Sequence, residues 1–510
     1  VTESAFDVIV VGAGSSGGVV DARLSEDDRC RVLCLEAGPD FPDEAENPPA
    51  FTVAAPIATT AGVPELDWDL WNETSTVSHR IRLPRGRVVG GSSMVNGTIA
   101  VRGAPEDFAR WTATGIAGWS WEDLLPYFIR IEDDAEFGDA PFHGIGGPIH
   151  VRRYPEAHWS PVHAAFVEGC QSLGMRYEED LNNPEGVAMC VGPWPNNRRN
   201  EVRLGTLVTY LRAARERANL VIAPECTVDR VLITSGRVTG VRYRDASGTV
   251  VDVAAPLVVL SAGAYHSPAI LQRSGIGPHR VLDRAGVTTE VDLPVGAALT
   301  DHANIAFPIE SEIFGTLIGR TFLVNARGPA APDGRPRWQA LAVPITEDPG
   351  RSAIIVNLTH QEAIGRVEIR AADPETAPLI DHRYLDSSAD LAAFDEGWEF
   401  CEALMATSAF QSGRARPGLP GRTGSDVAHL QVNTALHPAG SCRMGPSRNS
   451  TSVVDDRLRV LGVEGLMVAD ASVFPEHVSF NPNLTCYVVG EVAADLVSGH
   501  QTTEKLAHVV

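Results

Sequence analysis

Gly12, Gly14 and Gly17 stand in the order G-x-G-x-x-G, directly after the apolar run Phe6-Asp7-Val8-Ile9-Val10-Val11. Each glycine has a separate task in holding a dinucleotide. Gly12 permits a tight turn, Gly14 lets the backbone approach a pyrophosphate, and Gly17 lets a helix pack on a strand. Free N–H groups at the start of the following helix complement the charge of the anion. Glu36 closes the run Arg31-Val32-Leu33-Cys34-Leu35. It lies about 20 residues beyond the last glycine, where a carboxylate accepts hydrogen bonds from an adenosine ribose. An acid there favours a free 2′-hydroxyl, hence NAD or FAD over NADP.

These residues need a strand, a loop, a helix and a second strand in that order. Phe6 to Val11 is apolar and β-branched apart from Asp7, as in a strand buried on both faces. Val19, Val20, Arg23 and Leu24 follow at helical spacing, and Arg31 to Leu35 supplies the second strand. Leu220-Val221-Ile222 and Leu257-Val258-Val259-Leu260 read as further buried strands, and Val228 to Tyr243 as a hairpin around Ser235-Gly236. Trp121 to Ile131 and Leu207 to Arg217 read as helices. This alternation predicts an α/β fold. Pro195 to Asn200 reads as a polar loop and Pro329 to Gly334 as an exposed one. Ile354 to Leu358 and Arg366 to Arg370 read as strands of a different, antiparallel sheet, the second with one solvated face. Between Asp390 and Phe410, Leu391, Phe394, Trp398, Cys401, Leu404 and Met405 mark a helix face, with Ser387 or Ser388 as its cap.

The 510 residues suffice for several domains around a large core, and the 44% hydrophobic and 21% charged fractions are those of a soluble globular chain. A net charge of −23 argues against a nucleic-acid partner, which would need clustered Lys and Arg. No apolar run approaches the roughly 20 residues that span a bilayer. The acidic start Val1-Thr2-Glu3 runs straight into a strand and has no pattern of a secretory signal, so a cytoplasmic location is expected. Eight cysteines without a C-x-x-C pair predict buried free thiols and no metal site.

Three further motifs decide the family. Gly86-Arg87-Val88-Val89-Gly90-Gly91-Ser92-Ser93-Met94-Val95-Asn96 is a second glycine-rich loop. Gly263-Ala264-Tyr265-His266-Ser267-Pro268-Ala269-Ile270-Leu271, ending in Ser274-Gly275-Ile276-Gly277, is a third. The C-terminal part carries His437-Pro438-Ala439-Gly440-Ser441-Cys442-Arg443-Met444-Gly445, then Val468-Ala469-Asp470-Ala471-Ser472 and Asn481-Pro482-Asn483-Leu484-Thr485. In this order, over essentially the whole chain, they resemble the glucose–methanol–choline (GMC) family of flavin oxidoreductases. The choline oxidase and the hydroxymethylfurfural or aryl-alcohol oxidase branches look nearest. The resemblance implies a Rossmann-like FAD-binding domain with an α+β substrate domain built on an antiparallel sheet, and FAD rather than NAD. It implies that Gly12, Gly14, Ser15, Ser16, Gly17, Glu36 and Ala37 hold the adenosine and pyrophosphate part. Val89, Gly91, Asn96, Gly97 and Thr98 would lie along the pyrophosphate and flavin ring. Val228 would contact adenine through its backbone, and Asp470, Ala471 and Pro482 would reach the ribityl end. Covalent attachment in choline oxidases uses a histidine where this chain has Val95, so non-covalent FAD is expected.

Alcohol oxidation needs a base for the hydroxyl proton and a group that holds the oxygen in line. Histidine suits the first role, because its ordinary pKa of about 6.5 lies near working pH. Asparagine suits the second, having both donor and acceptor atoms. The resemblance assigns these roles to His437 and Asn481. His302, in Asp301-His302, reads as structural, and Ala298 replaces an asparagine usual in that segment. The expected reaction is oxidation of an alcohol to a carbonyl, with dioxygen or another electron acceptor. A hydroxynitrile lyase of the same fold is the alternative. Leu436 stands where choline oxidases have a cage tyrosine, and Gly97 where they have serine. Arg320 falls near the choline-type carboxylate. A neutral or anionic primary or secondary alcohol is therefore expected in place of choline. The FAD domain is expected to comprise residues 1–152, 196–302 and 437–510, and the substrate domain residues 153–195 and 303–436.

Overall fold

The computed structural model describes residues 5–51, 63–73, 76–200, 202–311, 313–314, 322–345, 351–446 and 451–499. Arg320 lies outside the described residues. The first glycine loop sits on a five-stranded parallel sheet. Its order is Leu220–Ala223, Val32–Leu35, Val8–Val11, Leu257–Leu260 and Leu466–Val468. Val8–Val11 is central and buried at every position, which is why it lacks polar alternation. Helix Gly17–Leu24 packs on helix Asn483–Ser498, so the two ends of the chain share one core. The hairpin Thr227–Thr234 and Arg237–Arg244 turns at Ser235 and Gly236 with φ of 52° and 74°, the two left-handed residues of a tight hairpin turn.

A second, larger sheet holds the expected strand Ile354 to Leu358. Its order is Arg416–Pro417, Ala303–Glu310, Arg351–Leu358, Trp338–Pro344, Val324–Arg327, Cys190–Pro193 and Arg176–Tyr177. All of its pairs are antiparallel except the last. Asn433–Thr434 also pairs with Ala303–Glu310. Helix Ser388–Met405 covers one face, with Phe394 and Trp398 buried beside Ile354, Val356 and Leu358. Ser387 is its cap, its Oγ accepting from the Ala389 N–H at 3.1 Å.

Four local expectations need correction. Arg366–Glu368 does not join the large sheet; it pairs with Leu379–Asp381 in a separate two-stranded ribbon. The helix from 388 stops at Met405, and a second helix, Ser408–Ser412, begins after extended Thr407. Leu207–Leu211 winds as a wider π-helix before Arg212–Ala214 continues as a single α-helical turn. Pro195–Arg199 is a strand, paired with Ile149–Arg153 and Val202–Arg203. Its polar side chains are consumed inside: Asn197 Nδ2 donates to the Leu204 carbonyl at 2.8 Å, and Asn196 accepts from Thr98 at 3.1 Å.

All eight cysteines are free, and only Cys30 is not fully buried. No helix among the described residues is long and apolar enough to cross a membrane.

Candidate active site

A cavity of about 860 Å³ runs from the first glycine loop to the large antiparallel sheet. Gly12, Gly14, Ser15, Ser16, Glu36 and Ala37 line one end; Gly91, Asn96, Gly97, Val228, Asp470, Ala471 and Pro482 lie along it. His437 and Asn481 also face it. Gly17, Val89 and Thr98 lie behind the wall. A Cβ at Gly17 would fall 1.8 Å from the Gly12 carbonyl oxygen, so this glycine serves packing. Val89 and Thr98 are buried, and Val89 donates its N–H to the Pro39 carbonyl at 3.0 Å.

The loop residues fit a bound dinucleotide. Gly12 has φ of 95°, and a Cβ there would meet the Ser261 carbonyl at 2.7 Å. At Gly14 the nearest atom to an added Cβ is the Gly91 Cα, at 3.9 Å. A side chain at that position would fill the cavity itself, where a pyrophosphate must approach the backbone. Glu36 accepts from the N–H groups of Ala13 and Gly38 at 3.0 and 2.9 Å. Burial raises its pKa to about 7 despite those bonds. Asp470 ties three segments together, accepting from Gly263 N–H, Ser267 Oγ and Ser472 N–H. Ser15 bonds Asn483 at 3.0 Å and Ser16 bonds the Cys486 carbonyl at 2.8 Å, which locks the first loop to the last helix. Val95 lines the cavity with an aliphatic side chain that has no nucleophilic atom.

At the other end, the hydrogen bonds around His437 set its tautomer. His302 Nε2 lies 2.9 Å from the Val478 carbonyl, to which it donates. His302 Nδ1 is then the acceptor of the 2.9 Å contact to His437 Nδ1. So His437 carries its proton on Nδ1 and keeps a lone pair on Nε2. Asn481 Nδ2 donates to that nitrogen at 3.0 Å, an amide orientation assigned from the same network. Asn481 Oδ1 is buried and has no partner among the described residues.

The backbone of His437 is held as firmly as its ring. Its N–H donates to Asp301 Oδ1 at 2.8 Å, and its carbonyl accepts from His477. The other Asp301 oxygen accepts from Tyr384 and Thr434. Burial opposes ionisation of Asp301, but the His382 imidazole and these two hydroxyls hold its pKa below the ordinary carboxylate value. Burial depresses His437 to about 3, with the Asp301 charge opposing and the His477 ring adding to the drop. The imidazole is neutral across the physiological range, as a base must be. Leu436, just before it, sits at a left-handed φ of 65°, its N–H bonded to Thr434 Oγ1 and its carbonyl to Arg85.

His302, read from the sequence as structural, is the residue that orients the His437 ring. Asp301, Tyr384, Thr434 and His477 were not singled out, since nothing in their local sequence separates them from ordinary core polar residues. Asp301 and His302 both bond His437, a contact that only the folded chain reveals. Glu132, Asp134 and His143 approach each other closely enough to suggest a metal site. Their charges are already matched: Arg102 bonds Glu132 at 2.6 Å, Arg153 bonds Asp134 and Asp180, and His143 bridges Glu132 and Asp180.

Two family models, both described as GMC oxidoreductase, match residues 6–304 and 361–490. The chain belongs to the GMC oxidoreductase family. It is 31% identical to an oxygen-dependent choline dehydrogenase of Sinorhizobium medicae, covering 97% of this chain and 96% of that one. It is 32% identical to the human mitochondrial choline dehydrogenase over 97% and 90% of the two chains. The crystal structure of pyridoxine 4-oxidase from Mesorbium loti superposes with a TM-score of 0.88 at 30% identity, covering 97% of this chain and all of that one. This GMC oxidoreductase therefore has the FAD-binding fold with a mixed α/β substrate part, and its activity is FAD-dependent oxidation of an alcohol. Val95 offers the flavin no nucleophile for a covalent bond. None of these relatives is described as a lyase.

Proposed function

We propose that the enzyme oxidises an uncharged primary or secondary alcohol other than choline, with His437 as base and Asn481 as the group that holds the substrate oxygen. The observation that carries this reading is the His437 Nε2 lone pair at the cavity wall beside the Asn481 amide. His437 Nε2 takes the hydroxyl proton, and the imidazolium so formed keeps its Nδ1–H on His302. Asn481 Nδ2 holds the developing alkoxide in line, a contact that strengthens with its charge. FAD, when bound, supplies the acceptor for the hydride that leaves the carbon. Electrons pass on to dioxygen or another acceptor.

Relatives named for choline and a structure named for pyridoxine give different substrates. The cavity chemistry favours an alcohol that is not a cation. Among the described lining residues the only acids are Glu36 and Asp470, and both already accept hydrogen bonds at the glycine loops. Asp301, beside His437, is buried behind the wall, so a quaternary ammonium would find no carboxylate on the described cavity lining near that end. We propose further that the cofactor side comprises residues 1–152, 196–302 and 437–510, which supply all five parallel strands. The cut runs through the paired strands Ile149–Arg153 and Pro195–Arg199. An anaerobic panel of choline, benzyl alcohol and aliphatic alcohols, followed by flavin absorbance with a parallel peroxide assay, tests the reading. Rapid bleaching by choline and by no neutral alcohol would overturn it.

A further inference from the structure

The cavity wall on the large sheet carries a row of four amides. Asn433 pairs with Asn304, Asn304 with Asn357, and Asn357 with Gln339, so the row crosses four adjacent strands in register. Cross-strand partners share a face, and all four line the cavity. On that face the next row is apolar: Ile355 pairs with Leu341, and both also line the cavity. The opposite face is wholly given to Ile354, Val356, Leu358 and the covering helix. Sheet positions at this depth are normally aliphatic. Asn357 is 5% exposed and Gln339 1%. The Gln339 carbonyl oxygen takes a long bond of 3.4 Å from Asn325. The side chains of Asn304 and Asn357 make no hydrogen bond within the described residues, although Asn357 is buried. Buried polar groups are held in place by partners, and here the open side of the row is the cavity.

We propose that this row reads the end of the substrate remote from the reacting carbon, and that the substrate is an uncharged alcohol carrying a second hydroxyl group. The inference rests on His437 and Asn481 marking the reacting end. An amide both donates and accepts, so a row of them matches a hydroxyl, which does the same. The Ile355–Leu341 row, one step farther from His302 along the same face, covers hydrocarbon of the substrate beyond the amides. A cationic head would gain nothing here, because amides cannot neutralise it.

The test uses the holoenzyme and two probes of equal shape, 3-hydroxybenzyl alcohol and 3-methylbenzyl alcohol, with anaerobic flavin bleaching as the readout. The hydroxyl compound should have kcat/KM about 10-fold higher, the worth of one satisfied buried hydrogen bond. Asn357→Leu, of the same branching, should bring the ratio close to one, and Asn304→Leu should lower it. FAD content of each variant shows that it has folded, and either variant alone suffices. Affinity for two inert compounds, resorcinol and 3-methylphenol, read from the flavin difference spectrum, gives a measure independent of turnover. Resorcinol should bind more tightly to the parent enzyme and lose that advantage in the variants. Equal handling of both probes by the parent, or a preference that survives in both variants, would overturn the proposal while leaving alcohol oxidation intact. If no alcohol bleaches the flavin yet resorcinol binds preferentially through Asn357, the alcohol reading falls and the amide row stands as a hydroxyl-binding site.

Discussion

At the scale of single residues, the proposed chemistry depends on the one lone pair of the His437 ring, on Nε2, which Asn481 must yield to the substrate hydroxyl. His437→Ala should retain FAD and slow flavin bleaching by a good alcohol about 10²- to 10⁴-fold, the usual worth of a positioned base. Asn481→Ala should cost less, roughly 5- to 150-fold, since it removes one orienting hydrogen bond of about 1–3 kcal/mol. Stopped-flow bleaching of both variants checks this, and reoxidation should be unchanged. The pH profile distinguishes an exposed histidine from this one. Only the neutral ring accepts a proton, so activity rises with pH through the folded pKa. With that pKa depressed to about 3, the acid limb of the bleaching rate should lie well below the ordinary histidine range, with a plateau through neutral pH. An inflection near 6.5 would show that the ring is hydrated and not held as the structure has it. Val95 carries a third expectation: acid precipitation should leave a colourless pellet and a yellow supernatant. His437 and Asn481 were legible as candidates because motifs frame them, and both line the cavity. The residues that hold the base were not, because Asp301 and Tyr384 meet it only through tertiary packing.

At the scale of elements, the strand–loop–helix at the start of the chain was read almost residue for residue. Its glycines leave a signature that tertiary context cannot hide. Gly17 shows why: its Cα packs against the Gly12 carbonyl, so the helix and loop approach closer than any side chain allows. Gly17→Ala should therefore lower stability by about 1–3 kcal/mol, the typical cost of overpacking a tight site. It should also weaken FAD retention, and thermal melting with and without added FAD reads both effects. Short strands were harder. Pro195 to Asn200 has the composition of a loop, and only the buried partners of Asn196 and Asn197 make it a strand. Arg366 to Arg370 alternates as an edge should, but alternation does not say which sheet receives it.

At the scale of the whole molecule, the site is surrounded by histidines that folding keeps neutral. Burial depresses His437 and His266 to about 3, His382 and His360 to about 4, and His302 well below its ordinary value. Each would regain a pKa of about 6.5 on unfolding. Between those values the unfolded chain binds more protons, so stability rises with pH and is lost as pH falls from about 6.5 towards 4. Each such proton contributes about 1.4 kcal/mol per pH unit, so denaturation midpoints measured at pH 7 and pH 5 should differ strongly. His143 works the other way. Its bonds to Asp180 and Glu132 raise its pKa against the cost of burial, so its contribution is present at low pH and fades as pH climbs through that raised value. The loop-to-helix bonds of Ser15 and Ser16 carry a different kind of consequence, one of time. They join residues near the beginning of the chain to Asn483 and Cys486, and the last strand of the parallel sheet is Leu466–Val468. A ribosome delivers the first glycine loop long before its anchors, 468 residues farther along the chain in the case of Ser15 and Asn483. The nascent protein therefore carries a half-made cradle until Asn483 and Cys486 have emerged.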